Sequence, residues 1–368
     1  MRGMFVAQVP NASRQRSSIL PVWRIAMFVL LGWSVVNSQT TAQEQPGRVI
    51  LEELDQPFGL ARQPGSGHLF ISESGAGRVI RYFDEQQEEV VTGFPREPYN
   101  RLPDLQLGPL GLTFVNNEQL VIGTGGQSLG EERILIVRVP EPGSPPTNVD
   151  AAMTFGPLRG RDLTAAGNNF FGIVATTKTI YGTAHDESGG WVASMDILKA
   201  DELEKSSSYG RLRRFATTDA DEAIFSPTGV AVSPNGELLI SQIGEIRTQA
   251  SDSRIAFYRV TDAKRLLSLS TGLRDITGIC YGAPQPPTNK PLLYVIDSSW
   301  AEPEYAGLFR LDAELKDGVQ SVKSVKISSL NRPTAIELGL DGSLYVTELG
   351  PADRETPAGR LIQFPPGL

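Results

Sequence analysis

Six polar side chains, Glu73, Thr124, Thr183, Gln242, Asp297 and Glu348, each stand at the end of a short apolar run, spaced about fifty residues apart. Gln56, Asn169, Asp275 and Arg332 stand instead at the start of a companion run. If these runs are strands of one ring, both sets meet at a single mouth. Three carboxylates there, Glu73, Asp297 and Glu348, would raise one another's pKa or attract a hard cation, so one expectation is a site for Ca²⁺ or another divalent ion. The competing expectation is that each acid faces solvent or accepts hydrogen bonds from turn amides. His185, in Ala184-His185-Asp186-Glu187, carries the side chain that titrates nearest neutral pH and is the candidate general base, with a solvated or structural imidazole as the alternative. Trp300 lies with Glu302, Glu304 and Tyr305 in a long loop after Asp297, and similar insertions occur at 244–254 and 349–358. Loops of this kind on a rigid ring suit a ligand or partner, although ordinary length variation would look the same. The candidate ligand-binding set is therefore Glu73, Thr124, Thr183, His185, Gln242, Asp297, Trp300, Arg332 and Glu348.

Two further spellings fail on context. Gly126-Gln127-Ser128-Leu129-Gly130 matches a nucleophile elbow, but that chemistry needs a strand-to-helix turn and Ile134 to Val139 reads as a strand. The glycine-rich stretch Gly123 to Gly130 opens no helix, so it offers phosphate neither a dipole nor aligned amides. Cys280, the single cysteine, falls on an inner strand with no base beside it and reads as an inert thiol.

The positioning elements are readable. First strands begin Phe58-Gly59-Leu60-Ala61, Leu110-Gly111-Leu112-Thr113, Phe171-Gly172-Ile173-Val174, Thr228-Gly229-Val230-Ala231, Thr277-Gly278-Ile279-Cys280 and Thr334-Ala335-Ile336-Glu337. Second strands follow, ending in the six polar residues. No single repeat can bury its own sheet faces, so the period predicts an all-β, six-bladed β-propeller with blades packed around a channel. Third strands are expected at Arg78 to Tyr82, Ile134 to Val139, Trp191 to Met195, Ile255 to Val260, Gly307 to Leu311 and Gly359 to Phe364. More polar fourth strands are expected at Glu88 to Thr92, Asp150 to Phe155, Leu212 to Phe215, Arg265 to Leu269 and Ser321 to Ile327. The sixth blade runs out of chain, so Arg48 to Leu54 is expected to complete it and close the ring. Pro64-Gly65-Ser66-Gly67, Asn116-Asn117, Pro234-Asn235-Gly236 and Asp341-Gly342 supply turns. Ala283 to Pro291 reads as an insertion, and Met195 to Lys205 as a short helix.

Pro57-Phe58-Gly59-Leu60-Ala61, then Gly67 to Glu73 and Arg78-Val79-Ile80-Arg81-Tyr82, resembles NHL-repeat propellers, and Pro227 to Gln242 and Pro333 to Glu348 repeat the pattern. That resemblance implies the fold and leaves function open. Thr228-Gly229-Val230-Ala231-Val232-Ser233-Pro234-Asn235-Gly236 is similar to a repeat of the gluconolactonase and strictosidine-synthase-like (SMP-30-like) propellers. In that class an asparagine at the first position helps hold a metal ion; Thr228 stands there, and its hydroxyl is a poorer ligand for a hard cation. Resemblance to quinone-dependent sugar dehydrogenase propellers implies a histidine and several arginines aimed into the channel. The chain has two histidines, His68 and His185, and His68 falls at the wrong end of its strand.

Residues 1–42 carry Arg2, Arg14, Arg16 and Arg24, no acid, and the apolar run Ile25 to Val36, a secretory signal pattern with Thr40-Thr41-Ala42 at the cleavage site; a retained anchor is the alternative. Loss of those residues leaves 30 basic and 42 acidic side chains and a formal charge near −12, which disfavours nucleic acid as a partner. One propeller domain, 43–368, with no membrane span after cleavage, is expected in a periplasm or outside the cell. Its function is expected to be binding of a protein, glycan or small ligand at the channel mouth. The alternative is a metal-dependent lactonase or esterase, a channel cation polarising the carbonyl.

Overall fold

Glycine recurs in the first strands because the chain bulges there and the next blade comes close. The ladder between first and second strands skips between Pro57 and Leu60, Pro109 and Leu112, Phe170 and Gly172, Pro227 and Val230, Ile276 and Gly278, and Pro333 and Ala335. At Gly111 a Cβ would stand 2.6 Å from the carbonyl oxygen of Phe171 in the neighbouring blade. These positions come from a computed structural model that describes residues 44–126, 131–157, 169–186, 189–198, 209–217, 226–246, 248–351 and 357–368.

Ala42–Leu368 forms one compact unit. Within it the strands form six sheets of four or five and one small hairpin. The fold is a six-bladed β-propeller. The innermost strands, in order, are Pro57–Arg62, Pro109–Phe114, Asn169–Ala175, Ser226–Val232, Ile276–Gln285 and Pro333–Leu338. Apolar side chains alternate so that one cluster fills each gap between blades. Phe70 and Val79 meet Leu120 and Ile122 between blades one and two, and Val295 and Phe309 meet Leu239 and Ile255 between blades four and five. Arg48–Leu54 pairs antiparallel with Gly359–Phe364, and Leu54 is buried against Leu361 and Ile80 of the first blade. Among the described residues no helix is long and apolar enough to cross a membrane.

Hydroxyls stitch the inner ring. Ser72 Oγ accepts from Gly59 N–H at 2.6 Å and donates to the Leu110 carbonyl at 2.7 Å; Thr183 Oγ1 does the same with Gly172 N–H and the Thr228 carbonyl. Thr228, Thr277 and Thr334 each donate to a carbonyl of the following blade, those of Ile276, Pro333 and Pro57, at 2.6 to 2.7 Å. An interior backbone carbonyl left without a donor is costly, so these bonds favour one spacing between blades.

Several expectations need correction. The residue of blade three that aligns with Glu73 and Glu348 is Ala184, opposite Phe170, so Thr183 lies one place further in and belongs to the hydroxyl ring. The anticipated insertion at Ala283 to Pro291 is mostly strand, because Ile276–Gln285 and Lys290–Asp297 extend and pair through it. Met195 and Asp196 end a strand rather than begin a helix, and 199–205 lie outside the described residues, as do 1–43 and 127–130. A hairpin of Glu97–Tyr99 and Leu102–Leu107, inserted between blades one and two, has no counterpart in the repeat pattern.

Candidate functional site: a chamber on the propeller axis

The carboxylates anticipated as a cation site are bonded locally. Glu73 accepts from Asp55 N–H at 2.7 Å and from Arg78 Nε at 2.6 Å. Glu348 accepts from Asn331 N–H at 2.7 Å and from Arg360 Nε at 2.7 Å. Asp297 accepts three backbone N–H bonds, from Arg274, Asp275 and Ser299, at 2.8 to 2.9 Å. Each acid thus ties the turn before its own first strand to the end of the second, the turn-amide alternative of the sequence. Among the described residues no group of three or more His, Cys, Asp or Glu could hold a metal ion, so the Glu73, Asp297 and Glu348 expectation is corrected. Burial nevertheless pushes Asp297 above the usual carboxylate range, against its three N–H donors. Thr124 bonds the backbone of Arg133, and the Gln242 amide donates to the Asp252 carbonyl.

What the ring does assemble is a small chamber on its axis, a cavity of about 30 Å³ that holds little more than water while its roof is closed. Phe58, Phe171, Thr228, Thr277 and Thr334 form its floor from five inner strands, Ile243, His185 and Trp300 its wall, and Tyr99, Leu102 and Leu105 of the inserted hairpin its roof. His185, on Thr179–Asp186, is 1 % exposed and stacks on Phe171 with ring centroids 4.6 Å apart and planes 12° apart. Its Nδ1 lies 2.9 Å from the Pro227 carbonyl, which can only accept, so Nδ1 carries the proton. Nε2 is then the acceptor nitrogen of the neutral ring, 3.3 Å from the Tyr99 hydroxyl, which donates to it.

Two of the polar residues leading into the first strands, Gln56 and Arg332, hold the hairpin at this mouth. Gln56 Nε2 donates to the Asp104 carbonyl at 3.1 Å while its Oε1 accepts from Gln106 N–H at 2.6 Å. Arg332 Nη1 pairs with Asp104 at 3.0 Å, and Arg101 Nη1 donates to Ser226 at 3.2 Å. Asp275 accepts the Trp300 N–H at 2.8 Å through one oxygen; the other is buried and has no partner among the described residues. Burial, with added repulsion from Asp297 and Asp252, pushes this carboxyl up to about 7, although the Trp300 N–H and Arg101 oppose the rise.

Of the nine residues proposed from sequence, His185 and Trp300 line the chamber and Arg332 holds its roof, while the other six are structural ties. Sequence reasoning missed Tyr99, Leu102 and Leu105. The signal available was the long connection from Thr92 to Pro109, in which Leu105 and Leu107 alternate as on a half-buried strand. At the opposite end the channel opens as a funnel of about 360 Å³, lined by inner-strand edges with Arg62 and Glu337. Burial lifts Glu337 to about 7 there, against the Arg62 charge. Cys280 lines the same funnel, its thiol pushed up by burial, in keeping with an inert role.

No family model matches the chain, and no curated protein matches it in sequence. Solved structures of the same shape do. A putative oxidoreductase (glucose dehydrogenase) from Thermus thermophilus superposes with a TM-score of 0.57 at 16 % identity, covering 86 % of this chain and 99 % of its own. A gluconolactonase from Xanthomonas campestris gives 0.55 at 14 %, covering 88 % and 92 %. The apo form of the aldose sugar dehydrogenase of Escherichia coli gives 0.57 at 14 %, covering 88 % and 99 %. At such identities the likeness shows a shared six-bladed fold.

One neighbour, a Streptomyces coelicolor aldose sugar dehydrogenase, is a PQQ-bound form. This chamber does not fit that group: pyrroloquinoline quinone is an anionic tricarboxylate, and among the described residues no lysine or arginine lines walls built of Phe58, Leu102, Leu105, Phe171, Ile243 and Trp300. A hard cation fits no better, since among the described residues no carboxylate lines the chamber.

Proposed function

We propose that the protein is an exported hydrolase of a small, uncharged lactone or ester bound in the axial chamber, with His185 as the general base. The observation that carries this reading is the fixed tautomer of His185: Nδ1–H is bonded to the Pro227 carbonyl, which makes Nε2 the acceptor nitrogen at the chamber, where the Tyr99 hydroxyl donates to it. In the reaction Nε2 takes a proton from water as the water oxygen attacks the carbonyl carbon. The imidazolium, steadied by Pro227, returns that proton to the alkoxide when the carbon–oxygen bond breaks. Phe171 keeps the ring in plane, and the apolar walls exclude bulk water and favour an uncharged substrate. Gluconolactonases of the same fold lend support at the level of architecture alone.

The test is a panel of γ- and δ-lactones and p-nitrophenyl esters assayed in the presence of EDTA. His185→Gln is expected to lower kcat/KM by about 10² or more. Full activity in that variant, or activity that disappears with EDTA, would reject the reading. A second reading, capture of a small apolar ligand without turnover, is favoured by Thr228, Thr277 and Thr334, whose protons are committed to backbone carbonyls and so leave the floor short of donors for an oxyanion. Saturable binding of an uncharged ligand with no product selects that alternative. Export is checked by cell fractionation and an intact mass beginning at Gln43.

A further inference from the structure

We infer that Tyr99 is the second working group of the axial site, and that the hairpin of Glu97–Tyr99 and Leu102–Leu107 delivers it, lifting to admit a ligand and closing to set the phenol on His185 Nε2. The inference rests on the chamber being the functional site.

The hairpin belongs to the ring by position only. Among the described residues its two strands pair with each other and with no blade. Its apolar side chains Tyr99, Leu105 and Leu107 pack on Leu110 and Leu349, apart from the clusters between blades. A two-stranded hairpin is marginal by itself, so its closure depends on what it touches. At the rim it is held by side chains: the two-point clamp of Gln56 on the Asp104 carbonyl and Gln106 N–H, the Arg332 to Asp104 pair, and Arg101 on Ser226. The Asp104 side chain is 50 % exposed, so water can compete for this latch. Lifting the hairpin would break these bonds and leave the interblade cores intact.

With the hairpin closed, His185 is sealed and nothing larger than solvent reaches Nε2. Access to the base and its contact with Tyr99 therefore exclude each other in a fixed structure, and a moving roof reconciles them. Once closed over a ligand, the Tyr99 hydroxyl, a neutral donor within reach of Nε2, is placed to orient the water or donate to the departing oxygen.

The test needs no substrate, so its failure is separable from failure of the hydrolase reading. Carbethoxylation of His185 by diethyl pyrocarbonate, followed by peptide mass mapping, reports how often the roof opens. Asp104→Asn and Arg332→Gln are each expected to speed modification about fivefold, with the double variant no faster than either and melting temperatures close to the parent. In ¹⁵N-labelled protein the His185 Nε2 resonance is expected to move downfield in Tyr99→Phe as the donor is lost. Modification of His185 at the rate of global unfolding in parent and both variants would make the hairpin a fixed plug, and an unmoved Nε2 resonance would remove Tyr99 from the site.

Discussion

Replacing Asp275 with asparagine should remove a loss of stability that grows as pH rises toward 7, and the size of the effect follows from its surroundings. Asp275 is buried, gives one oxygen to the Trp300 N–H and leaves the other with no partner among the described residues. Burial is the main reason its carboxyl titrates near 7 rather than near 3.8, with Asp297 and Asp252 adding repulsion. Between pH 4 and pH 7 the folded chain therefore holds a proton that the unfolded chain has released. Stability from this group is complete below about pH 4, declines as pH rises toward 7, and is lost above it. A shift of that size corresponds to about 4 kcal/mol across the window. The side-chain amide of Asp275→Asn would keep an acceptor for the Trp300 N–H and carry no charge at any pH. Urea unfolding at pH 4.5, 6 and 8 should find Asp275→Asn and the parent within about 1 kcal/mol at the lowest pH, with the variant several kcal/mol more stable at the highest. Asp297 and Glu337 are also pushed upward, but both are present in the two proteins and largely cancel in the difference. Parallel stability curves, or a variant that is weaker by a constant amount at every pH, would refute the account of this carboxyl.

Other consequences can be checked with the same unfolding measurement. Gly111→Ala drives a Cβ to 2.6 Å from the Phe171 carbonyl oxygen and should cost about 3 kcal/mol, whereas Gly236→Ala meets nothing within 4 Å and should cost about 1 kcal/mol for its φ of +89°. Glu73→Ala and Glu348→Ala leave the N–H of Asp55 or Asn331 without its acceptor and should each cost about 2 kcal/mol, while the glutamine variants retain the bond and lose less. Calcium or EDTA should leave the melting temperatures of the parent and of these glutamate variants where they were. Deleting residues 48–54 uncovers Gly359–Phe364 and Leu361 and should abolish the single cooperative transition, read by circular dichroism.

The ring was legible because its determinants are local and repeated: a small residue where each first strand bulges, an apolar second strand, a polar residue at its end. The closing strand could be inferred because the last repeat lacks an outer partner while Arg48 to Leu54 precedes the first. The site was harder. Glu73, Asp297 and Glu348 do occupy equivalent places in three blades, but equivalence along the chain says nothing about what each carboxylate bonds. The nearest donors are backbone N–H groups of the adjoining turns, three of them for Asp297, and those win over a shared cation on the axis. Blade three misleads by one residue because Ala184 stands where Glu73 and Glu348 stand in their blades, so the polar residue next to that place is Thr183 of the hydroxyl ring, and the strand runs on to bring His185 to the mouth. Tyr99 and Leu105 were invisible because the hairpin belongs to no repeat, and only its packing with Phe58, Phe171 and Trp300 reveals that it roofs the axis.

The central claim, that function resides in the axial chamber beside His185, is tested most directly by a crystal structure of the protein soaked with a small uncharged lactone. The account predicts ligand density between His185, Phe171 and Trp300, with the hairpin raised or re-closed over it. Density confined to the funnel at the opposite face, between Arg62 and Glu337, with Tyr99 and Leu105 still filling the chamber, would contradict it.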